Sequence, residues 1–135
     1  MGNLYAAVDD EQAHATVDAA WRAGVRYFDT APHYGLGLAE RRLGRAVASR
    51  PRAEYVISTK VGRLLVPDDA PRGMDLDAGF AVPDTLRRRL DYSATGSGAL
   101  EDSLERLGVD HVDIALVHDP DLHVPQVIVE TVRSC

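Results

Sequence analysis

The chain is poor in several things at once. Among its 135 residues there is one cysteine, Cys135, at the last position. No disulfide can close within it, which fits a reducing compartment, and the expected location is the cytoplasm. No apolar run approaches the ~20 residues of a membrane-spanning helix, so no membrane partner is expected. The first residues carry no basic patch leading into an apolar stretch, so no secretory signal is read there. Ala6 stands where a myristoylation motif needs Ser or Thr. Basic residues are outnumbered 15 to 21, giving a net charge of −6. A domain that grips phosphate backbones is usually basic, so no nucleic-acid partner is expected. The one dense basic run, Arg87-Arg88-Arg89, reads as a solvated helix face or a structural loop. Phosphate-binding signatures are missing too. Gly35-Leu36-Gly37 begins a GxG, but Glu40 stands where a dinucleotide fingerprint wants Gly or Ala, and there is no P-loop.

Lysine is the scarcest charged residue. Lys60 is alone against fourteen arginines. Arginine serves wherever else a positive charge is wanted, so the exception counts toward chemistry: lysine is a compact amine whose proton affinity responds to its surroundings.

What is present is ordinary globular composition, 45% hydrophobic and 27% charged. The length suits one domain. It is too short for a closed eight-unit α/β barrel, which needs about 250 residues.

The hydrophobic pattern alternates between helix and strand. Ala13, Val17, Ala20 and Trp21 recur at helical spacing, with Asp9 and Gln12 as a capping pair and Gly24 as the stop. Val25 to Asp29 reads as a strand, followed by a polar loop from Thr30 to Gly37. A helix from about Leu38 to Ser49 turns Leu43, Ala46 and Val47 inward and four charges outward. Glu54 to Thr59 is the next strand. About thirty residues separate one strand from the next, the βαβ rhythm of a parallel sheet. The rhythm breaks from Val61 to about Gly98, a proline- and glycine-containing excursion in which a short helix is expected near Asp84 to Leu90. It resumes with a Leu100, Leu104, Leu107 stripe ended by Gly108. Next comes a nearly all-apolar strand, His111 to Val117, of the kind covered on both faces. Pro125 to Arg133 can start a helix with proline at its first position.

In α/β barrels and open parallel sheets, functional groups gather at the C-terminal ends of strands. Three strand ends here deliver Asp29 with Tyr34 on the following loop, Lys60, and His118. An ammonium beside a phenol stabilises the phenolate, a carboxylate fixes the ammonium, and a histidine can hydrogen-bond a substrate oxygen or relay a proton. Singly, Asp29 could cap a turn, Tyr34 could pack in a loop, and His118 could be a core histidine. Their joint placement on one face raises them above those readings. A second reading takes His118, Asp119, Asp121 and His123 as ligands of a divalent metal, as in barrel hydrolases, but their spacing matches no established ligand motif.

Four motifs in order resemble the aldo-keto reductases. Phe28-Asp29-Thr30-Ala31-Pro32-His33-Tyr34-Gly35 is similar to the family's FDTAxxYG signature. Ala39-Glu40-Arg41-Arg42-Leu43-Gly44 is similar to its xSExxLG segment, with Ala39 in place of the usual Ser. Ser58-Thr59-Lys60-Val61 matches its lysine strand. Ser103 to Asp110, followed by Val112-Asp113-Ile114 and Val117-His118, matches SLxRLGxDxxDLxxxH. The excursion and Leu90-Asp91-Tyr92-Ser93 look most like the branch with aldose, fucose and pyridoxal dehydrogenases.

The resemblance implies part of a (β/α)8 TIM barrel, about strands 2 to 4 with their helices. Residues 1–135 would then be an incomplete barrel domain, without the first strand and the C-terminal half. It also implies NADP- or NAD-dependent hydride transfer at a small aldehyde, lactol, aldose or alcohol. Tyr34 would be the general acid and base, Lys60 would favour its phenolate, Asp29 would pair with Lys60, and His118 would orient the substrate oxygen. Cofactor contacts are expected mainly in the later part of the barrel, so none is assigned here. The chain by itself is expected to be inactive, and its open sheet edge at 112–117 to invite self-association.

Overall fold

A computed structural model describes residues 1–93, 98–121 and 123–130. Cys135, Leu122 and the end of the expected last helix lie outside the described residues.

The frame is a sheet of three parallel strands with helices on one face. Helix α1 (Asp10–Arg22) starts as expected, with the Asp9 carboxylate accepting from the Gln12 N–H at 2.7 Å. It ends in a Schellman turn: the Gly24 and Val25 N–H groups donate to the Trp21 and Ala20 carbonyls. Strand β1 (Tyr27–Asp29) follows, then α2 (Leu38–Val47) and β2 (Val56–Val61). Strand β3 (Arg63–Pro67) and strand β4 (Leu86–Leu90) form an antiparallel hairpin in the excursion. Helix α3 (Gly98–Leu107), β5 (Ile114–Val117) and α4 (Val124–Glu130) complete the order. The sheet order is β1-β2-β5, with Asp29 opposite Ser58 and Lys60 opposite Leu116.

Strand alternation sorts the two faces. Phe28 and Ile57 point toward the helices and join Val17, Leu43, Ala46, Val47, Tyr55 and Leu107 in the main core. Trp21, Phe28 and Tyr55 pack ring against ring there, 6.1 to 6.5 Å apart. Full burial of an apolar side chain such as Leu43, Val47 or Ile57 contributes roughly 1.5–3 kcal/mol. Asp29, Ser58 and Lys60 belong to the other face, where their polar atoms meet one another.

Four expectations change. The expected short helix at 84–90 is strand β4. Its alternation explains the error: on β4, Arg87 and Arg89 are exposed while Arg88 between them is partly buried, a period of two that a short polar stretch hides. With it goes the reading of the arginine run as a helix face.

Helix α2 does not turn all its charges outward. Glu40 is fully buried, accepting from Thr59 Oγ1 at 2.7 Å and pairing with Arg106 Nε at 2.6 Å. Arg42 is buried as well, donating to the Asp10 carboxylate, the Asn3 side chain and the Met1 and Val8 carbonyls. Both charges are affordable inside only because every one of those contacts is polar.

On α3 the buried residues are Ala99, Ser103 and Leu107, with Leu100 and Leu104 only half-buried. On the same helix Arg106 pairs with the buried Glu40 of α2. Finally, β5 is not covered on both faces: Ile114 and Leu116 are each 40% exposed. The described helices cover one face of the sheet, and β5 lies at its edge.

Candidate active site

The sequence-predicted residues come together. Parallel pairing of β1 and β2 sets Asp29 beside Ser58, one residue before Thr59 and two before Lys60. From there the Lys60 ammonium donates to Asp29 Oδ2 at 2.6 Å and to the Thr30 carbonyl at 3.0 Å. Its Nζ also lies 4.7 Å from the centre of the Tyr34 ring. Burial alone would lower the proton affinity of the amine. The hydrogen bonds to Asp29 and Tyr34 outweigh it, so the Lys60 pKa is raised above its ordinary value. The ammonium form is therefore held.

The Tyr34 loop is tightly seated. Gly35 has φ +64°, and a Cβ there would fall 2.3 Å from the Gly2 carbonyl oxygen, so only glycine lets the N-terminal segment pass beside Tyr34. The Tyr34 N–H donates to the Ala31 carbonyl, and the Tyr34 carbonyl accepts from the Ala39 N–H at the start of α2.

His118 follows β5 directly. Its N–H donates to the Val61 carbonyl at 3.0 Å, and its own carbonyl accepts from the Tyr92 hydroxyl at 3.0 Å. The side chain is buried, with its ring 5.9 Å from the Tyr34 ring and 5.1 Å from that of His33. Burial, then the nearby Arg63 guanidinium, lowers its pKa against the opposing pull of Asp119. The imidazole is held neutral, and its buried Nδ1 has no hydrogen-bond partner. A cavity of about 660 Å3 lies along the outer edge of β1, lined by Gly2, Tyr27, Asp29, His33, Tyr34 and Phe80 among others.

Other residues at the site carry a weaker signal in the sequence. Ser58 Oγ donates to Asp29 Oδ1 at 2.6 Å, and the Tyr27 hydroxyl donates to Ser58 Oγ at 3.0 Å. Both share the face of Asp29 and Lys60 by simple alternation, which was the signal available for them. His33 stacks edge-on between Phe80 at 5.3 Å and His118. Nothing local in the sequence marks Phe80 or Arg88 as neighbours of this loop, because they arrive from the excursion.

The metal reading does not assemble. Asp119 pairs with Arg63 at 2.7 Å, and the His123 ring lies against Tyr92. Among the described residues no three His, Cys, Asp or Glu side chains are grouped to hold an ion. No helix among them is long and apolar enough to cross a membrane.

Parallel strands with covering helices, and polar groups at the strand ends, are the arrangement by which α/β sheets and barrels build enzyme sites. The chain belongs to the Aldo/keto reductase family, whose model matches residues 1–135. It is 52% identical over 126 residues to a D-threo-aldose 1-dehydrogenase of Pseudomonas sp, covering 91% of this chain and 38% of that protein. It is 40% identical to a pyridoxal 4-dehydrogenase of Microbacterium luteolum, covering 88% of this chain and 37% of that protein. The solved aldo-keto reductase of Klebsiella pneumoniae in complex with NADPH is similar at 28% identity and a TM-score of 0.61, covering 99% of this chain and 36% of that one. The chain thus spans just over a third of the length of the relatives it matches. Within the larger (β/α)8 fold it is a partial α/β unit.

Proposed function

We propose that the protein carrying this chain is an NADP- or NAD-dependent oxidoreductase. It would move a hydride between the nicotinamide and a carbon of a small aldehyde, aldose, lactol or alcohol. The observation that carries this reading is the Lys60 ammonium, clamped by Asp29 and facing the Tyr34 ring, with neutral His118 alongside. The family and the aldose and pyridoxal dehydrogenase relatives support it. The single cysteine supports a cytoplasmic setting.

The donor set fits a nicotinamide at its reacting end. Asp29, Tyr34, Lys60 and His118 handle protons, and none of them carries two electrons. The bound cofactor would supply or accept the hydride. The chain's own residues do the rest. In oxidation the Tyr34 phenolate takes the substrate's hydroxyl proton, and in reduction the phenol returns it to the carbonyl oxygen. Lys60 offsets the negative charge on the phenolate in either direction. Asp29, fixed by Ser58 and Tyr27, holds Lys60 in place. The neutral His118 imidazole hydrogen-bonds the substrate oxygen and orients it toward Tyr34. No residue of the chain is assigned to the cofactor's phosphates.

The test is cofactor reduction by the purified enzyme that carries this chain, against a panel of aldoses, pyridoxal and simple alcohols, with each nicotinamide. Reduced cofactor should accumulate with at least one aldose or aldehyde-related substrate. A panel with no cofactor-linked turnover in either direction would contradict the proposal.

The exposed β5 favours a second reading for the 135-residue chain studied by itself, namely pairing with another copy along that edge. Sedimentation should then show a dimer or larger species, and a concentration-independent monomer would count against it.

A further inference from the structure

Resting on the reading of Tyr34 as the acid and base, we propose that Arg88 is a positioning residue for the reaction, fixing the His33-Tyr34 backbone from outside the parallel frame. Strand β4 brings Arg88 in from the excursion. Its guanidinium grips both oxygens of Asp75, at 2.8 and 2.6 Å, and donates a further bond to the His33 carbonyl at 2.8 Å. Both partners of the ion pair are largely buried, with 15% and 11% of their side chains exposed. A surface ion pair would contribute little, but a buried forked pair fixes geometry in two directions.

A ring contact joins the same two segments. The Arg88 guanidinium lies 5.4 Å from the Phe80 ring, and Phe80 meets the His33 ring edge-on. His33 in turn packs against both Tyr34 and His118, at 6.0 and 5.1 Å. Phe80, Leu36 and Val82 form a small core of their own, so the excursion and the Tyr34 loop share their packing. One guanidinium therefore indexes the loop that carries the phenol. Misplacing a reacting group by about 1 Å costs up to ~100-fold in rate, so such a residue is felt in turnover without touching substrate.

The charges facing His33 make the link measurable by a second route. They are Arg88 from β4, Arg63 from β3, and His118 and Asp119 beyond β5. Burial is the larger influence, and together with Arg88 it lowers the His33 pKa to about 4. Removing the Arg88 charge moves His33 back toward its ordinary value.

The experiment compares Arg88→Met, Arg88→Lys and Asp75→Asn with Arg87→Met, in the enzyme that carries this chain. Arg87 is exposed on the same strand and serves as the control. Arg88→Met should lower kcat about tenfold or more while leaving KM for the nicotinamide within twofold. Arg88→Lys should recover part of that loss. Imidazole NMR should show the His33 midpoint rising in Arg88→Met and not in Arg87→Met. If Arg88→Met does not fold, Asp75→Asn and Arg88→Lys carry the test, each with kcat below that of Arg87→Met. Equal kcat values across the set, with an unmoved His33 midpoint, would overturn the inference. Tyr34→Phe separates the two levels. If it keeps full turnover, the acid–base reading fails and this inference with it; if it is dead while Arg88→Met is fully active, this inference alone fails.

Discussion

The parallel frame and the described part of the excursion, residues 62–93, are built by different means. In the frame, apolar helix faces meet apolar strand faces, and the core is a continuous cluster from Val17 to Leu107. In the excursion the apolar cluster is small, and polar contacts hold the turns. Asp84 accepts from the Arg72 and Gly73 N–H groups, which holds its carboxyl below the usual range. Arg88 locks Asp75. The frame thus sets where the strand ends point, and the excursion sets how the loop between them is seated. Asp29, Lys60 and His118 stand at strand ends of the frame, Tyr34 stands on the loop between β1 and α2, and the packing around its neighbour His33 comes from the excursion.

That division can be broken most strongly at Lys60. Lys60→Met keeps the bulk of the side chain and removes the ammonium. Turnover in the enzyme that carries this chain should fall by about 1,000-fold, within the range for losing acid–base assistance, with little change in far-UV dichroism. A variant that keeps most of its turnover would place the chemistry elsewhere than the strand ends.

The frame's own weak point is the buried carboxylate. Glu40→Ala strands Arg106 and Thr59 without their shared partner. Unfolding in denaturant should show a loss of about 3 kcal/mol. A loss below ~1 kcal/mol would mean that the α2–α3 seam rests on packing alone.

The smallest effect concerns pH and the excursion's seat on the loop. With its pKa lowered to about 4, folded His33 resists protonation that the unfolded chain accepts below about 6.5. Stability should therefore fall as pH drops from 6.5 toward 4, and this group adds no further loss below that. His118 acts in the same direction, since its pKa is lowered too. The aspartates held below the usual carboxylate range add their own loss in the same direction, beginning at about pH 5. Melting temperatures across that range should be flatter for His33→Asn than for the parent chain. Identical slopes would show that His33 is solvated and not held by the excursion.

The two regions also differ in how far the sequence exposes them. Helical periodicity located α1 and α2, and β-forming or apolar runs between turn signals located the three parallel strands. Asp29, Lys60 and His118 were legible because each lies at or next to the C-terminal end of such a strand. Glu40 and Arg42 were not, because a period of 3.6 marks polarity and cannot show that a charge has a buried partner 19 or more residues away in the chain. The hairpin was hidden by composition, since Arg87-Arg88-Arg89 carries alternation in burial and none in polarity. Arg88 and Phe80 reach His33 through tertiary contacts 55 and 47 residues apart in the chain, and Asp75 acts through Arg88, none of which a local pattern encodes.

The central claim is that Asp29, Tyr34, Lys60 and His118 form one proton-transfer site, with Tyr34 as its working group. The most direct measurement is nicotinamide-linked turnover of Tyr34→Phe in the enzyme that carries this chain, beside a matched circular dichroism spectrum. The phenylalanine keeps the ring contacts with Lys60 and His118 and removes only the hydroxyl. Turnover should drop by about 100-fold or more in both directions with the fold unchanged. Turnover within a few fold of the parent enzyme would contradict the account.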